Sequence, residues 1–217
     1  MATKAPTSTK TQRELVPEGT HVARIYEYIH LGTQKGEWEG KELIQYKLRF
    51  GFEFPTEKRV FDEKKGEQPM VMSNDFTLSL NEKANLRKLA EACYGKMEEA
   101  QAVDFDVDTL VGKACLVSVA HKPPKDGIVY SYINGFMPLM KGLTVDPQIN
   151  PSKVLTFEHW NEELFLALPK FVQEKITSSP EYKTLKNEGM LVDPNGYNGE
   201  IGSTDDTGVA NPDDIPF

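Results

Sequence analysis

The chain has 217 residues, of which 39% are hydrophobic and 27% are charged, and its formal net charge is −8. This length allows one or two domains, and it gives a folded body enough buried surface to be stable without metals or cross-links. Because the sequence has no long apolar stretch, no secretory signal and only two cysteines, Cys93 and Cys115, we expect a cytoplasmic protein without a membrane, metal or cofactor partner.

The acidic residues are concentrated at the end of the chain. Residues 187–217 carry seven acids and no Lys or Arg, which leaves a net charge of −1 on residues 1–186. This segment has too few large apolar side chains to offset the entropy of ordering it, so we expect a disordered acidic tail. Residues 1–15, which hold three basic residues among Thr, Ser and Pro, are predicted to form a flexible basic arm.

Three segments after the arm show the alternation that is typical of β-strands. The first is His21–Leu31. The second is Leu43–Phe54, in which six apolar residues, including Phe50, Phe52 and Phe54, lie opposite a face that holds Lys47 and Arg49. The third is Met70–Leu80. Residues 32–40 and 57–67 between these segments are polar or highly charged, and they are predicted to form exposed loops.

The first predicted strand has an irregular apolar face. Alternation places on one side Ala23, Ile25, Ile29 and Leu31. The opposite side holds Arg24, Tyr26, Tyr28 and His30. Glu27 lies on the apolar side, so we expect the strand to bend or to reach the edge of its sheet at this residue.

A helix and two further strands follow the third strand. The segment Glu82–Tyr94 has apolar residues at helical spacing, with Asn81 as the predicted cap and Gly95 at the end. Ala114–His121 and Ile128–Phe136 alternate again, on either side of a polar hairpin loop. The order of the elements is therefore β-β-β-α-β-β.

This order predicts a mainly β protein with a five-stranded OB-fold barrel over residues 16–145. Residues 146–186 are predicted to form a helical appendage, with helices at Glu158–Leu168 and Pro169–Thr177 and a last turn at residues 180–185. The apolar face of this appendage is large for its length. We therefore expect it to pack on the barrel or on another copy of the protein.

The predicted barrel combines aromatic rings with cations, as a surface for single-stranded nucleic acid requires. Rings stack on unpaired bases at ~1–3 kcal/mol each, whatever the base, and Lys or Arg side chains neutralise phosphates. The candidate DNA-binding residues are Arg24, Tyr26, Tyr28, Lys47, Arg49, Tyr130 and Tyr132. Two alternatives stay open: the tyrosines are half-buried residues of the sheet, and Lys47 and Arg49 belong to a solvated face.

Signals for catalysis are weak in this sequence. The four His are scattered, and no nucleotide-binding, hydrolase or metalloprotease motif is present. Asp104, Asp106 and Asp108 alternate along the chain. If they lay on one face of a strand, their carboxylates could hold Mg²⁺ as in a nuclease, but we favour the interpretation that this run is a solvated connector. We therefore expect a protein that is not an enzyme, and a metal-dependent nuclease is an alternative.

The end of the chain resembles the acidic tip of bacterial single-stranded DNA-binding proteins. The residues that carry this resemblance are Asp213, Asp214, Ile215, Pro216 and Phe217. Pro212 departs from the pattern, because the family usually has another Asp there. Three further parts of the chain resemble the phage-encoded type of these proteins. They are Val16–Gln34 (VPEGTHVARIYEYIHLGTQ), Phe76–Ala92 (FTLSLNEKANLRKLAEA) and the region around Gly112 and Lys113. The helical appendage lies outside this resemblance.

The resemblance implies an OB-fold core that coats exposed single strands during DNA replication and recombination. It also implies a tip that recruits replication, recombination or repair enzymes. The terminal ring, the carboxylate and the two Asp of the tip would fit an apolar pocket with a basic lip on such an enzyme. The place of action would be the cytoplasm, that of the bacterial host if the protein is phage-encoded. Duplex DNA or RNA stays open as a further ligand. The alternative function is an OB-fold accessory protein or recombination mediator whose main ligand is a protein.

Overall fold

The computed structural model describes residues 14–38, 40–125 and 127–187. Most of the predicted basic arm lies outside the described residues, as does the predicted acidic tail beyond Asn187 with its tip at residues 213–217. Within the described ranges, no helix is both long enough and apolar enough to cross a membrane.

The described chain is mainly β, as predicted, and it is built on one antiparallel sheet. The five long strands are β1 (Gly19–Trp38), β2 (Lys41–Asp62), β3 (Gly66–Thr77), β4 (Ala114–Lys125) and β5 (Ile128–Met137). They lie in the order β3-β2-β1-β4-β5, so β1 is central and β3 and β5 are the edges of an open sheet. A sixth strand, β6 (Lys153–Leu155), which the sequence pattern does not predict, pairs parallel to β1 beyond the point at which β4 leaves it.

The first two hairpins are longer than predicted. Strand pairing continues through most of the predicted loops at residues 32–40 and 57–67. Backbone hydrogen bonds hold these arms together, whereas their side chains are mostly exposed and show no apolar alternation. The turns contain glycines with positive φ, 77° at Gly40 and 66° at Gly66, a conformation that a residue without a Cβ adopts at little cost.

A β-bulge in β1 divides the side chains of that strand between two cores. The register with β2 shifts between Ile25 and Glu27, where the sequence predicts an irregularity. One extra residue reverses the alternation, so Ile25 and Tyr28 face the same core, whereas Ile29 and Leu31 face the opposite side. The prediction that Ile29 and Leu31 share a face with Ala23 and Ile25 is therefore wrong.

The main core lies between the inner face of the sheet and α1 (Asn85–Tyr94), and it contains the alternating Phe side chains of β2. The ring of Phe136 on β5 lies 5.6 Å from Phe52 on β2 and 5.7 Å from Phe76 on β3, measured between ring centroids. These rings bury apolar surface between strands that lie far apart in the sheet order. The two edge strands are therefore joined by packing across the core.

α1 begins later than predicted. Its N-cap is Ala84, which makes no side-chain cap hydrogen bond, so the predicted capping role of Asn81 is wrong. Asn81 instead accepts a hydrogen bond through its backbone carbonyl from the Ala84 amide, in a turn before the helix. The predicted end at Gly95 is confirmed, and this glycine has a φ of 91°.

The appendage packs on the outer face of the sheet, which is the side opposite the main core. Its helices are α3 (Glu162–Leu166), α4 (Lys170–Ser178) and α5 (Pro180–Asn187). The helix α2 (Glu99–Val103) is not part of the appendage and precedes β4 in the chain. The second core consists of Ile29, Leu31, Leu155, Phe165, Leu168, Val172 and Ile176. Full burial of such side chains contributes about 1.5–3 kcal/mol each, so the appendage and the sheet stabilise each other.

A buried carboxylate holds the segment that leads from β5 to the appendage. Glu53 of β2 is fully buried, and its carboxylate accepts hydrogen bonds from the Ile149 amide (2.7 Å), the Asn150 amide (2.7 Å) and the Asn150 side chain (2.8 Å). A buried charge requires such donors, because its desolvation is otherwise unfavourable. The segment is thus fixed against the outer face of β2.

Candidate nucleic-acid interface

The seven predicted DNA-binding residues do not form one patch. Three lie on β1, two on β2 and two on β5, in the order Arg24, Tyr26, Tyr28, Lys47, Arg49, Tyr130 and Tyr132. In the sheet, β2 and β5 are separated by β1 and β4. The cations of β2 and the rings of β5 therefore belong to two separate surfaces.

Tyr26 and Tyr28 are buried, with 6% and 2% of their surfaces exposed. The Tyr28 ring stacks on Phe50 at 4.9 Å between centroids, and its hydroxyl lies 2.6 Å from Nε2 of His30. Burial raises the pKa of both phenols above the usual range. Because the bulge turns Tyr28 into the main core, neither ring offers a face to a base, and the predicted stacking role does not fit these positions.

Arg24 is engaged with the backbone. Its guanidinium donates hydrogen bonds to the carbonyl oxygens of Asp146 (2.6 Å), Gly112 (3.0 Å) and Val145 (3.5 Å). These bonds join β1 to the turn before β4 and to the segment that leads to the appendage. The geometry thus indicates a structural role for Arg24, in place of the predicted phosphate contact.

Lys47 and Arg49 lie on the outer face of β2, as predicted, but their surroundings differ. The Lys47 Nζ donates hydrogen bonds to Oε1 of Gln45 (2.8 Å) and Oγ1 of Thr77 (2.6 Å), both of which are neutral. Arg49 forms an ion pair with Asp75 on β3, with 2.6 Å between Nη1 and Oδ1. Partial burial lowers the pKa of Lys47 below its usual range, although Asp75 acts in the opposite direction.

A groove crosses the sheet at Lys47. One part, of about 540 Å³, lies along the β1–β2 hairpin and is lined by Gln34, Lys35, Gly36, Glu37, Leu43, Gln45 and Lys47. A second part, of about 450 Å³, reaches the start of α1, and its lining includes Gln45, Lys47, Asp75, Thr77, Lys83 and Asn85. Gln45 and Lys47 line both parts, so the two adjoin at these side chains. The lining contains three lysines, Lys35, Lys47 and Lys83, and two carboxylates, those of Glu37 and Asp75.

Tyr130 and Tyr132 form the second surface, on the β4–β5 hairpin. They are two residues apart on one strand, and they expose 50% and 37% of their surfaces. Lys122 of β4 pairs in register with Tyr130, and its Nζ lies 5.4 Å from the centroid of the Tyr132 ring. Two exposed rings and a cation therefore share one side of this hairpin, as stacking on unpaired bases requires.

The run of Asp104, Asp106 and Asp108 lies in an exposed connector and not on a strand. Asp106 precedes a 3₁₀ turn (Val107–Leu110), and its carboxylate accepts a hydrogen bond from the Asp108 amide at 3.1 Å. In the part of the chain that the structure describes, no group of three or more His, Cys, Asp or Glu is arranged to hold a metal ion. The local role of Asp106 is that of a cap.

Three lysines of these surfaces are not among the predicted residues: Lys35, Lys83 and Lys122. Lys122 follows the predicted end of the fourth strand at His121, but β4 continues to Lys125 and carries Lys122 beside the tyrosines. Continuing the alternation of this strand would have placed Lys122 on the same side as Ala120. Lys83 lies in the turn before α1, and only the fold brings this residue into the groove with Lys47.

Comparison with known proteins adds no family to this description. No protein-family model matches the chain, and no curated protein is significantly similar to it. The resemblance to single-stranded DNA-binding proteins therefore stays a prediction from the residues quoted above.

Proposed function

We propose that this protein is a sequence-tolerant, non-enzymatic single-stranded DNA-binding protein. The observation that carries the proposal is the pair of half-exposed rings, Tyr130 and Tyr132, beside the cation of Lys122. Rings of this kind stack on any unpaired base, whereas the bases of a duplex are already stacked on each other. The groove at Lys47 supplies phosphate contacts on the same protein.

We propose further that the sheet is an OB fold whose edge strands meet through side chains. Three features support this assignment: the order of three strands, a helix and two strands, the central position of β1 between β2 and β4, and the contacts of Phe136 with Phe52 and Phe76. OB folds bind oligonucleotides on the face of strands 2 and 3 and on the loops between strands 1 and 2 and between strands 4 and 5. Both candidate surfaces of this protein occupy such positions.

The proposed biological role follows from the resemblance in the sequence. Coating of exposed single strands in phage DNA replication and recombination agrees with a ligand site that reads no base edges. The DDIPF tip would recruit replication, recombination or repair enzymes while the sheet stays on DNA. The rival function, an accessory protein or mediator whose main ligand is a protein, requires the tail but not the ring and lysine surfaces.

The two functions are distinguished by replacing one ring. Tyr132→Ala should weaken binding of oligo-dT by about 1–3 kcal/mol, because one stacking platform is lost. Tyr94→Ala is a matched control: Tyr94 is 45% exposed and lies 4.8 Å from Nζ of Lys113, but it is on α1, away from both surfaces. Tight oligo-dT binding that neither variant weakens would remove the β4–β5 hairpin from the site, and no binding by the wild type would favour the rival function.

A further inference from the structure

α4 places an aromatic ring and a cation against the outer face of β2 and β3. Phe171 and Lys175 are four residues apart, so they lie on the same side of this helix. The Arg49 guanidinium carbon lies 5.2 Å from the centroid of the Phe171 ring, and Lys175 Nζ lies 2.6 Å from Oδ2 of Asp75. Of the two sheet residues in this contact, Asp75 also lines the groove.

Two cations pair with one carboxylate at this contact, and a third cation lies near it. Asp75 pairs with Arg49 through Oδ1 and with Lys175 through Oδ2, and Lys47 lines the groove next to Asp75. The positive charge of Lys175 also contributes to the lowered pKa of Lys47, after the larger effect of burial, which indicates that the two ammonium groups lie in one electrostatic environment. The side chain of Lys175 is 45% exposed and is accessible to a ligand.

Phe171 is not part of the second core. Val172 and Ile176 of the same helix are fully buried, whereas Phe171 exposes 51% of its surface. The cation–π contact with Arg49 holds the ring at the surface without burying it. A half-exposed ring that is bordered by cations has the composition of a base-stacking platform.

We propose that α4 is part of the DNA-binding surface, with Phe171 as a platform for an unpaired base and Lys175, together with Lys47, as phosphate contacts. This inference rests on the proposed function and extends it to the appendage, which lies outside the resemblance to single-stranded DNA-binding proteins. The single-stranded polynucleotide would run along the groove past Lys47 and Asp75 to the edge of α4. Charge complementarity favours this occupant, because Arg49, Lys175 and Lys47 all lie near Asp75, which carries a single negative charge.

Replacement of the ring separates stacking from packing. Phe171→Leu keeps an apolar side chain against Arg49 but removes the aromatic face, so oligo-dT affinity should fall about 5- to 100-fold in the full chain, whereas Phe171→Trp should retain it. The control is Leu166→Ala, which truncates an exposed apolar side chain of α3. The indole that Phe171→Trp introduces is also a reporter, and its fluorescence should be quenched when oligo-dT binds.

Replacement of the cation tests the phosphate contact. Lys175→Gln should make the slope of log K against log salt less steep by about 0.7, the value of one phosphate contact on a single strand. Lys186→Gln, at an exposed lysine of α5, should leave the slope unchanged. Melting temperatures of all variants establish that each is folded.

The outcomes separate this inference from the proposed function. A wild-type protein that ignores oligo-dT contradicts the proposed function itself. A wild-type protein that binds, while Phe171→Leu and Lys175→Gln bind equally well and the introduced indole is not quenched, overturns only the inference and leaves α4 as a structural cover. Loss of affinity in Phe171→Leu with retention in Phe171→Trp supports stacking, because a purely structural position would tolerate Leu at least as well as Trp.

Discussion

The imidazole of His30 lies between two tyrosine hydroxyls at the boundary of the two cores. Its Nε2 is 2.6 Å from the hydroxyl of Tyr28, and its Nδ1 is 2.9 Å from the hydroxyl of Tyr46. Burial lowers the pKa of His30 below its ordinary value of 6.5, although the carboxylates of Glu158, Asp108 and Glu181 act in the opposite direction. A neutral imidazole satisfies both hydroxyls, because one nitrogen donates and the other accepts.

This lowered pKa predicts a loss of stability on acidification. The unfolded chain takes up a proton at a higher pH than the folded chain, so the contribution of His30 is present above pH 6.5 and is lost as the pH falls toward the folded pKa. Between about pH 7.5 and 5.5, the wild type should lose more free energy of unfolding than His30→Gln, by at most ~1.4 kcal/mol per pH unit. Urea unfolding at both pH values measures this difference, and equal losses in the two proteins would contradict the account.

The junction between β1 and α5 shows how an element of the appendage is fixed to the sheet. The amide and the hydroxyl of Thr33 donate hydrogen bonds to the Glu181 carboxylate at 2.9 Å and 2.5 Å. Burial raises the pKa of Glu181, but the hydrogen bonds from Thr33, the Glu181 backbone and Ser179 together outweigh burial and hold the pKa below its usual range. Gly32 has a φ of 74° and lies so close to Ser179 that an added Cβ would be 2.6 Å from the Ser179 Cβ.

We predict that Gly32→Ala displaces α5 from the sheet. The substitution combines an unfavourable backbone conformation with a steric clash, and it should lower the free energy of unfolding by about 2–4 kcal/mol. Gly66→Ala is the matched control, because Gly66 has a φ of 66° but a Cβ added there would meet no atom within 4 Å. Denaturant unfolding of both variants separates the clash from the backbone cost, and equal destabilisation would show that the Ser179 contact has no effect.

Alternation predicts which residues of a strand share a face, but it does not predict irregular pairing. It correctly placed Lys47 and Arg49 opposite the Phe side chains of β2. It failed at Tyr28, because one bulge residue reverses the faces of β1.

Contacts between segments that lie far apart in the chain were also out of reach of the sequence pattern. Asp75 binds Lys175 of α4, and Glu53 binds Asn150, and neither pair follows from local periodicity. The sequence pattern also did not predict the lengths of the hairpins. The reason is different: backbone hydrogen bonds hold the exposed arms together whatever their side chains are. The sequence therefore predicts which types of residue form the candidate site, whereas the side chains that each of them contacts follow only from the fold.

At the scale of the whole molecule, the charge is separated along the chain. Residues 1–186 carry only −1, and the remaining acids belong to residues 187–217. The folded body therefore has no large positive field, and DNA binding must depend on a few local cations together with stacking rings. These cations are Lys47, Lys83, Lys122 and Lys175.

The central claim is tested most directly by titration of the full chain with oligo-dT and with duplex DNA of the same length at several salt concentrations. We predict that oligo-dT quenches the Tyr and Trp fluorescence and binds more tightly than the duplex. The slope of log K against log salt should be shallow, about −3 for four phosphate contacts at roughly 0.7 each. Absence of oligo-dT binding at modest ionic strength, or equal affinity for the duplex, would contradict the account.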